Sequence, residues 1–413
     1  MSAMRPRLPE PGRGSAPRRA AEVFHTALQL GLTSFGGPIA HLGYFERTYV
    51  QQRRWLTSEQ YGNVVALCQL LPGPTSSQVG FLIGLHRAGW PGAFGAWAGF
   101  TAPSALLMYW GAILAASLQG PLPQALVHGL QLVAVGVVAQ AVVSMAQSLC
   151  RDALTVAVAV VAAGALFIMS GTTVQIAVLI AGAVSGMVFA RRTWPAEARL
   201  AVPPAGPVAW CALGMFGLLL IALPVLASLS PRGPLALTNI FYRAGALVFG
   251  GGHVVLPLLG DALVPGGWIT NDRFLTGYGL AQAMPGPLFT VATYLGAANV
   301  YVQPSVLAAL IATVAIFLPG LLVAVAGAAL WGRASRHAMV RTAIVGINAA
   351  VVGILGAALY HPVISTAIHN WIDAAIALAG FVALVRWKLP PIALVAATLM
   401  CSALAQFAKD LPW

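Results

Sequence analysis

Gln69-Leu70-Leu71-Pro72-Gly73-Pro74-Thr75-Ser76-Ser77-Gln78 interrupts a long apolar segment. A helix cannot pass through Pro-Gly-Pro intact. Each proline lacks an N–H and clashes with the preceding turn. In a bilayer the freed backbone groups find no partner in lipid, so such a break must face protein, water or a ligand. The chain repeats the motif at Gln282-Ala283-Met284-Pro285-Gly286-Pro287-Leu288-Phe289-Thr290.

The surrounding composition sets the class. Of 413 residues, 59% are hydrophobic and only 8% are charged. The mean hydropathy is +0.83. Soluble domains carry about 25% charged residues. Charge-free windows near the roughly 20 residues that span a bilayer recur throughout. The expected fold is an all-α polytopic membrane protein. Its net charge of +12 does not point to nucleic acid. The cations sit in short loops and the N-terminal tail, where they orient the chain and meet anionic lipid. Cys68, Cys150, Cys211 and Cys401 lie in apolar segments without metal-ligand spacing.

Thirteen apolar stretches are expected to cross, at about 24–45, 60–85, 91–118, 124–149, 153–169, 172–190, 208–229, 238–260, 274–300, 305–330, 341–360, 364–385 and 389–408. With the N-terminus inside, Arg5, Arg7, Arg13, Arg18, Arg19, Arg87, Arg151, Arg191, Arg192, Arg199, Arg273, Arg333, Arg336, Arg341, Arg386 and Lys388 fall inside. Arg47, Arg53, Arg54, Arg232 and Lys409 fall outside. That balance of 16 against 5, Arg243 being left out, favours N-in and C-out. The three arginines of 46–59 fit poorly. If 24–45 were a re-entrant hairpin, that loop would be cytoplasmic.

The chain is internally repeated. Phe35-Gly36-Gly37-Pro38 matches Phe249-Gly250-Gly251-Gly252 at an offset of 249 − 35 = 214. Trp55-Leu56-Thr57 matches Trp268-Ile269-Thr270, and Gln69 with Pro72-Gly73-Pro74 matches Gln282 with Pro285-Gly286-Pro287, both at 213. Pro103 pairs with Pro319, and Gly129-Leu130-Gln131 with Gly346-Ile347-Asn348. The expected division is a cytoplasmic tail over 1–23, a first repeat over 24–190, a linker and extra span over 191–237, and a second repeat over 238–413. Six spans return the chain to its starting side. The odd span then flips the second half, giving two inverted-topology repeats of about six helices with discontinuous helices.

The combination of Phe-Gly-Gly-Pro at 35–38, Trp-Leu-Thr at 55–57, Gln-x-x-Pro-Gly-Pro at 69–74, and a second copy with Phe-Gly-Gly-Gly-His at 249–253 resembles the chromate ion transporter family in its long two-domain form. The resemblance covers roughly 24–408. It implies a secondary transporter in the bacterial inner membrane that exports chromate from the cytoplasm. It further implies that the proton-motive force drives export and that the result is chromate resistance. Sulfate or a related tetrahedral oxyanion stays open as the substrate, protons as the coupling ion, and a homodimer as the assembly.

The residues themselves allow two readings at each place. A helix restarting after Pro74 presents free N–H groups and a positive dipole end, and Thr75, Ser76 and Ser77 add hydroxyls suited to an oxyanion. The bland alternative is a proline kink whose hydroxyls bond back to their own helix. The second copy offers Thr290 alone. Gly36, Gly37, Gly250 and Gly251 let backbone approach a ligand closely, or simply let helices pack. Arg243 either neutralises a dianion or snorkels to the headgroups. His41 and His253 are proton-coupling candidates, or neutral packed side chains. Gln69 and Gln282 are expected to be buried donors. Glu46, Glu59, Asp261, Asp272 and Asp373 read mostly as solvated charges at span ends. No ligand set for a metal, haem, flavin or iron–sulfur group is spaced to serve, and no catalytic motif appears. The expected protein is a cofactor-free transporter, not an enzyme.

Overall fold

A computed structural model describes residues 15–35, 37–117, 121–169, 172–189, 206–249, 254–334 and 338–410, and every regular element among them is helical. The first half holds α1 (Ala16–Thr33), α2 (Gly37–Phe45), α3 (Ser58–Leu70), α4 (Thr75–Ser117), α5 (Pro121–Leu149), α6 (Ala153–Ile168) and α7 (Thr172–Phe189). A π-helix over Glu46–Gln52 continues α2. Next come α8 (Gly206–Ser228), α9 (Pro234–Leu247), α10 (Val255–Leu263), α11 (Asn271–Ala283) and α12 (Val291–Ala298). The chain closes with α13 (Ser305–Ala334), α14 (Ala338–Ala358), α15 (Ser365–Ala367), α16 (Trp371–Arg386) and α17 (Pro391–Asp410). α1 begins eight residues ahead of the expected span, because Pro17 pre-sets the first turn.

The repeated motifs have local physical roles. Thr57 caps α3: its hydroxyl accepts from the Gln60 N–H at 3.2 Å, and the Gln60 side chain accepts from the Thr57 N–H at 2.9 Å. Thr270 caps α11 with the hydroxyl half of this arrangement alone, accepting from the Arg273 N–H at 3.4 Å. The tryptophans two residues earlier, Trp55 and Trp268, are both buried. α4 is two helices in one: Ala88 and Gly89 leave helical geometry, Gly89 with φ +66°, and Pro91 follows. Its segments correspond to α12 and α13 in the second half.

Four expected crossings prove to be paired short helices. The stretches 24–45, 60–85, 238–260 and 274–300 each leave helical geometry near the middle, at 34–35, 71–74, 248–249 and 284–287 among the described residues. Contacts between their ends show how they run. Glu22, near the start of α1, pairs with Arg87, at the end of the first α4 segment (3.2 Å), and with Arg53, ahead of α3 (3.7 Å). Arg87 also lies over the Trp55 ring, 5.3 Å from its centroid. These ends are therefore side by side. The α1–α2 pair leaves that level and returns to it, and so does α3 with the first α4 segment. The second half repeats this. Arg232 stacks over Tyr301 at 4.7 Å, Trp268 meets the same ring edge-on at 5.1 Å, and the Val300 N–H donates to Trp268 O at 3.2 Å. The sequence could not distinguish a broken crossing from a hairpin, since both need the same proline break.

Around these hairpins stand the long helices. Among the described residues, five helices are long and apolar enough to cross a membrane, over Thr75–Ser117, Gln124–Gln147, Gly206–Ser228, Ser305–Ala329 and Thr342–Ala367, and there are further, shorter apolar helices. The later helices exchange partners between halves: α5 packs on α16 and α17, and α14 packs on α6 and α7.

Candidate functional site

The hairpin tips meet in crossed pairs. The Gly73 N–H, in the first Pro-Gly-Pro, donates to Val248 O at 2.7 Å. The Gly286 N–H, in the second, donates to Ser34 O at 2.9 Å. Each Pro-Gly-Pro thus closes on the broken turn of the opposite half, at positions related by the 213–214 offset. This answers where the freed backbone groups go. Gly73 and Gly286 take φ of +119° and +90°, a region that favours glycine. Gln78 adds a tie of its own, donating to Pro72 O (2.8 Å) and Gly320 O (2.9 Å). The matching position in the second half is Val291, so this tie has no twin.

Polar groups without partners gather around the tips. Ser34 Oγ, His41 Nε2, Ser77 Oγ, Gln78 Oε1, Thr101 Oγ1 and Gln282 Nε2 are all buried with no hydrogen-bond partner. Buried polar atoms are nearly always bonded, so each such group calls for a ligand or water. His41 is buried against Phe100, edge-on at 5.4 Å, and its Nδ1 lies 3.3 Å from Ser76 Oγ. A Cβ placed on Gly286 would come 2.9 Å from Ser104 Oγ and 3.2 Å from Phe100 O. Ser34, His41, Ser76 and Ser104 therefore lie around one pair of tips, and Thr101 is buried next to Phe100 in sequence. The unpartnered atoms belong to hydroxyls, an imidazole and two amides.

The expected site residues divide. Pro72, Gly73, Pro74, Thr75, Ser76, Ser77, Pro285, Gly286 and Pro287 lie at the tips, and Gly37 (φ +79°) lies beside Ser34 in the first hairpin turn. Thr290 is buried there too, but its hydroxyl donates to Pro287 O at 2.8 Å, the back-bonding alternative. Gln282 keeps one buried amide nitrogen unpartnered. Gln69 is exposed instead of buried: α3 turns Tyr61, Val64, Leu67, Cys68 and Leu70 inward, and Gln69 falls on the other face. Gly36, Gly250, Gly251 and His253 lie outside the described residues. Ser34, Gln78 and Thr101 were not anticipated. Ser34 adjoins the glycine motif, which is a usable signal; Thr101 had none.

Arg243 is half-buried on α9, five residues ahead of Val248, or about 7.5 Å along the helix. It lines a small cavity of about 50 Å³ with Asn239, Leu247, Leu258 and Ala262, between α9 and α10. Among the described residues no carboxylate lies within ion-pair distance of it. Two acids expected to be solvated are not. Asp373 is buried among His128, His369 and Asn370, and Asp261 accepts from Gln175 at 2.8 Å. His128 and Gln175 lie 245 and 86 residues away in sequence from the acids they meet.

Apolar long helices, paired hairpins and orphaned polar groups at their tips define an integral membrane transporter. Residues 21–187 and 235–404 each match the chromate transporter family, and the chain belongs to it. It is 27% identical to a probable chromate transport protein of Synechococcus elongatus over 88% of both chains. It is also 27% identical to a chromate transport protein of Pseudomonas aeruginosa, over 83% of this chain and 80% of that one. The identity to a chromate transport protein of Cupriavidus metallidurans is 26%, over 86% and 84%. No solved structure matches the chain.

Proposed function

We propose that this protein is a secondary transporter that exports chromate across the bacterial cytoplasmic membrane, driven by the proton-motive force, and so confers chromate resistance. The observation that carries the reading is the group of unpartnered buried polar atoms near the crossed hairpin tips, with Arg243, which has no carboxylate partner among the described residues, on the helix leading to one of them. A tetrahedral dianion accepts from the Ser34, Ser77 and Thr101 hydroxyls and from the Gln282 amide nitrogen, whereas Gln78 Oε1 is itself an acceptor and offers it nothing. The membrane potential, negative inside, drives a dianion outward by about 2 × 2.3 kcal/mol per 100 mV. His41 is the candidate proton carrier beside Ser76. A sulfate permease is the alternative, since sulfate shares the shape and charge. Everted vesicles test both. Chromate should accumulate in the lumen when the lumen is made positive or acidic, and an uncoupler should abolish it. Accumulation of sulfate in preference to chromate favours the alternative, and no accumulation under either gradient rejects export.

The finer fold reading is a pair of inverted repeats with four re-entrant hairpins and nine crossings: the second α4 segment, α5, α6, α7, α8, α13, α14, α16 and α17. The hairpins of the first half enter from the cytoplasm and those of the second half from outside, so their tips meet at mid-membrane. Relative to thirteen crossings, Arg47, Arg53 and Arg54 move inside and Arg273 moves outside. The balance of Lys and Arg changes from 16 against 5 to 18 against 3, Arg243 again left out. The stronger bias supports this arrangement, with the N-terminus cytoplasmic and the C-terminus periplasmic. Single cysteines at 53 and 266 separate the two topologies. An impermeant thiol reagent should reach 53 only from the cytoplasmic side and 266 only from outside. Thirteen crossings predict the reverse at both positions.

A further inference from the structure

A second polar cluster stands away from the hairpin tips. His128, near the start of α5, places Nε2 3.0 Å from Asp373 Oδ1. His369, ahead of α16, places Nδ1 3.8 Å from Asp373 Oδ2. The two imidazole rings lie with centroids 5.3 Å apart. All three ligand atoms fall within 4.8 Å of one another. We propose that His128, His369 and Asp373 form a binding site for a divalent transition-metal ion, with zinc the ion best suited to it.

The donor set selects the metal. Two imidazoles and one carboxylate suit zinc and its first-row neighbours, whereas magnesium and calcium prefer oxygen alone. A tetrahedral ion with bonds of about 2.0–2.1 Å needs ligand atoms about 3.3 Å apart. The three ligand atoms lie within 4.8 Å of one another, so side-chain rotations must draw the widest-spaced pair closer. The carboxylate is already oriented. Its Oδ2 accepts from the His369 backbone N–H at 3.0 Å and from Asn370 Nδ2 at 3.0 Å. Such outer hydrogen bonds are what hold a metal-binding carboxylate in place. Three protein ligands leave one position for water, and the exposed His369 leaves an entry path. The ligands come from different halves, 245 residues apart for His128 and Asp373, so a bound ion would clamp α5 to α16. Sequence spacing has no means of revealing such a site.

Titration of the purified full-length protein with zinc chloride tests this, read by calorimetry and by unfolding temperature. One zinc per chain should bind at this site and raise the unfolding temperature, with magnesium giving no shift. His369→Ala removes a ligand that is 63% exposed and should leave the fold intact. It should weaken zinc binding at least about tenfold. His128→Ala should do the same, while His25→Ala, also at an exposed position, should bind zinc like the parent. Equal zinc affinity in the parent and in His369→Ala would overturn the proposal, as would a site lost only in His25→Ala. The assay requires no chromate, so it stands apart from the transport reading.

Discussion

Arg243→Gln is expected to abolish chromate flux while leaving the amount of protein in the membrane unchanged. The glutamine keeps much of the volume and two donors but removes the charge. Two opposed helix ends supply about half a charge each, which leaves a dianion half compensated. Arg243 has no carboxylate to neutralise it among the described residues, so its charge is available. Losing one member of a desolvated charge pair costs about 2–5 kcal/mol, a drop in apparent affinity of at least about thirtyfold. Arg243→Lys should keep part of the flux, as a point charge without the planar fork. Flux equal to that of the parent in the glutamine variant would mean that the arginine only shields the cavity between α9 and α10.

Gly73→Ala should destabilise the protein, and Gly286→Ala should do so nearly as strongly. At Gly73 a Cβ would lie 2.7 Å from the Gly320 Cα, backbone that has no room to yield. At Gly286 it would lie 2.9 Å from Ser104 Oγ, a side chain that can turn. Both positions also hold positive φ. Left-handed backbone and overpacking together give about 2–4 kcal/mol at Gly73. The loss should appear as a lower unfolding temperature in detergent, with chromate flux falling in parallel. Gly62→Ala in mid-α3 is the control: a Cβ there meets nothing within 4 Å. It should be neutral or stabilising by up to about 1 kcal/mol. Wild-type stability in Gly73→Ala would show that the crossed tips do not bind the halves together.

Particular residues show where sequence reading stops. Prolines 72, 74, 285 and 287 fix the breaks wherever they occur, because a missing N–H is a local covalent fact. Thr57 and Thr270 likewise announce the helix starts, since capping acts over three residues. Composition determined the membrane class, and the 213–217 offsets exposed the repeat. Whether a broken segment crosses or turns back depends on what its far end touches. The pairing of Glu22 with Arg53 and Arg87, and of Tyr301 with Arg232 and Trp268, is what supports the hairpin reading. Gln69 is exposed where the sequence predicts burial, because its face of α3 depends on neighbours that the sequence does not name. His128 and Gln175, the distant partners of Asp373 and Asp261, are beyond sequence reading for the same reason. The sequence alone determined what acts through the chain's own covalent neighbours: breaks, caps, apolar length and repeat. The tertiary structure decided everything that depends on contact between segments hundreds of residues apart: the hairpins, the crossed tips and the polar atoms left unpaired around them.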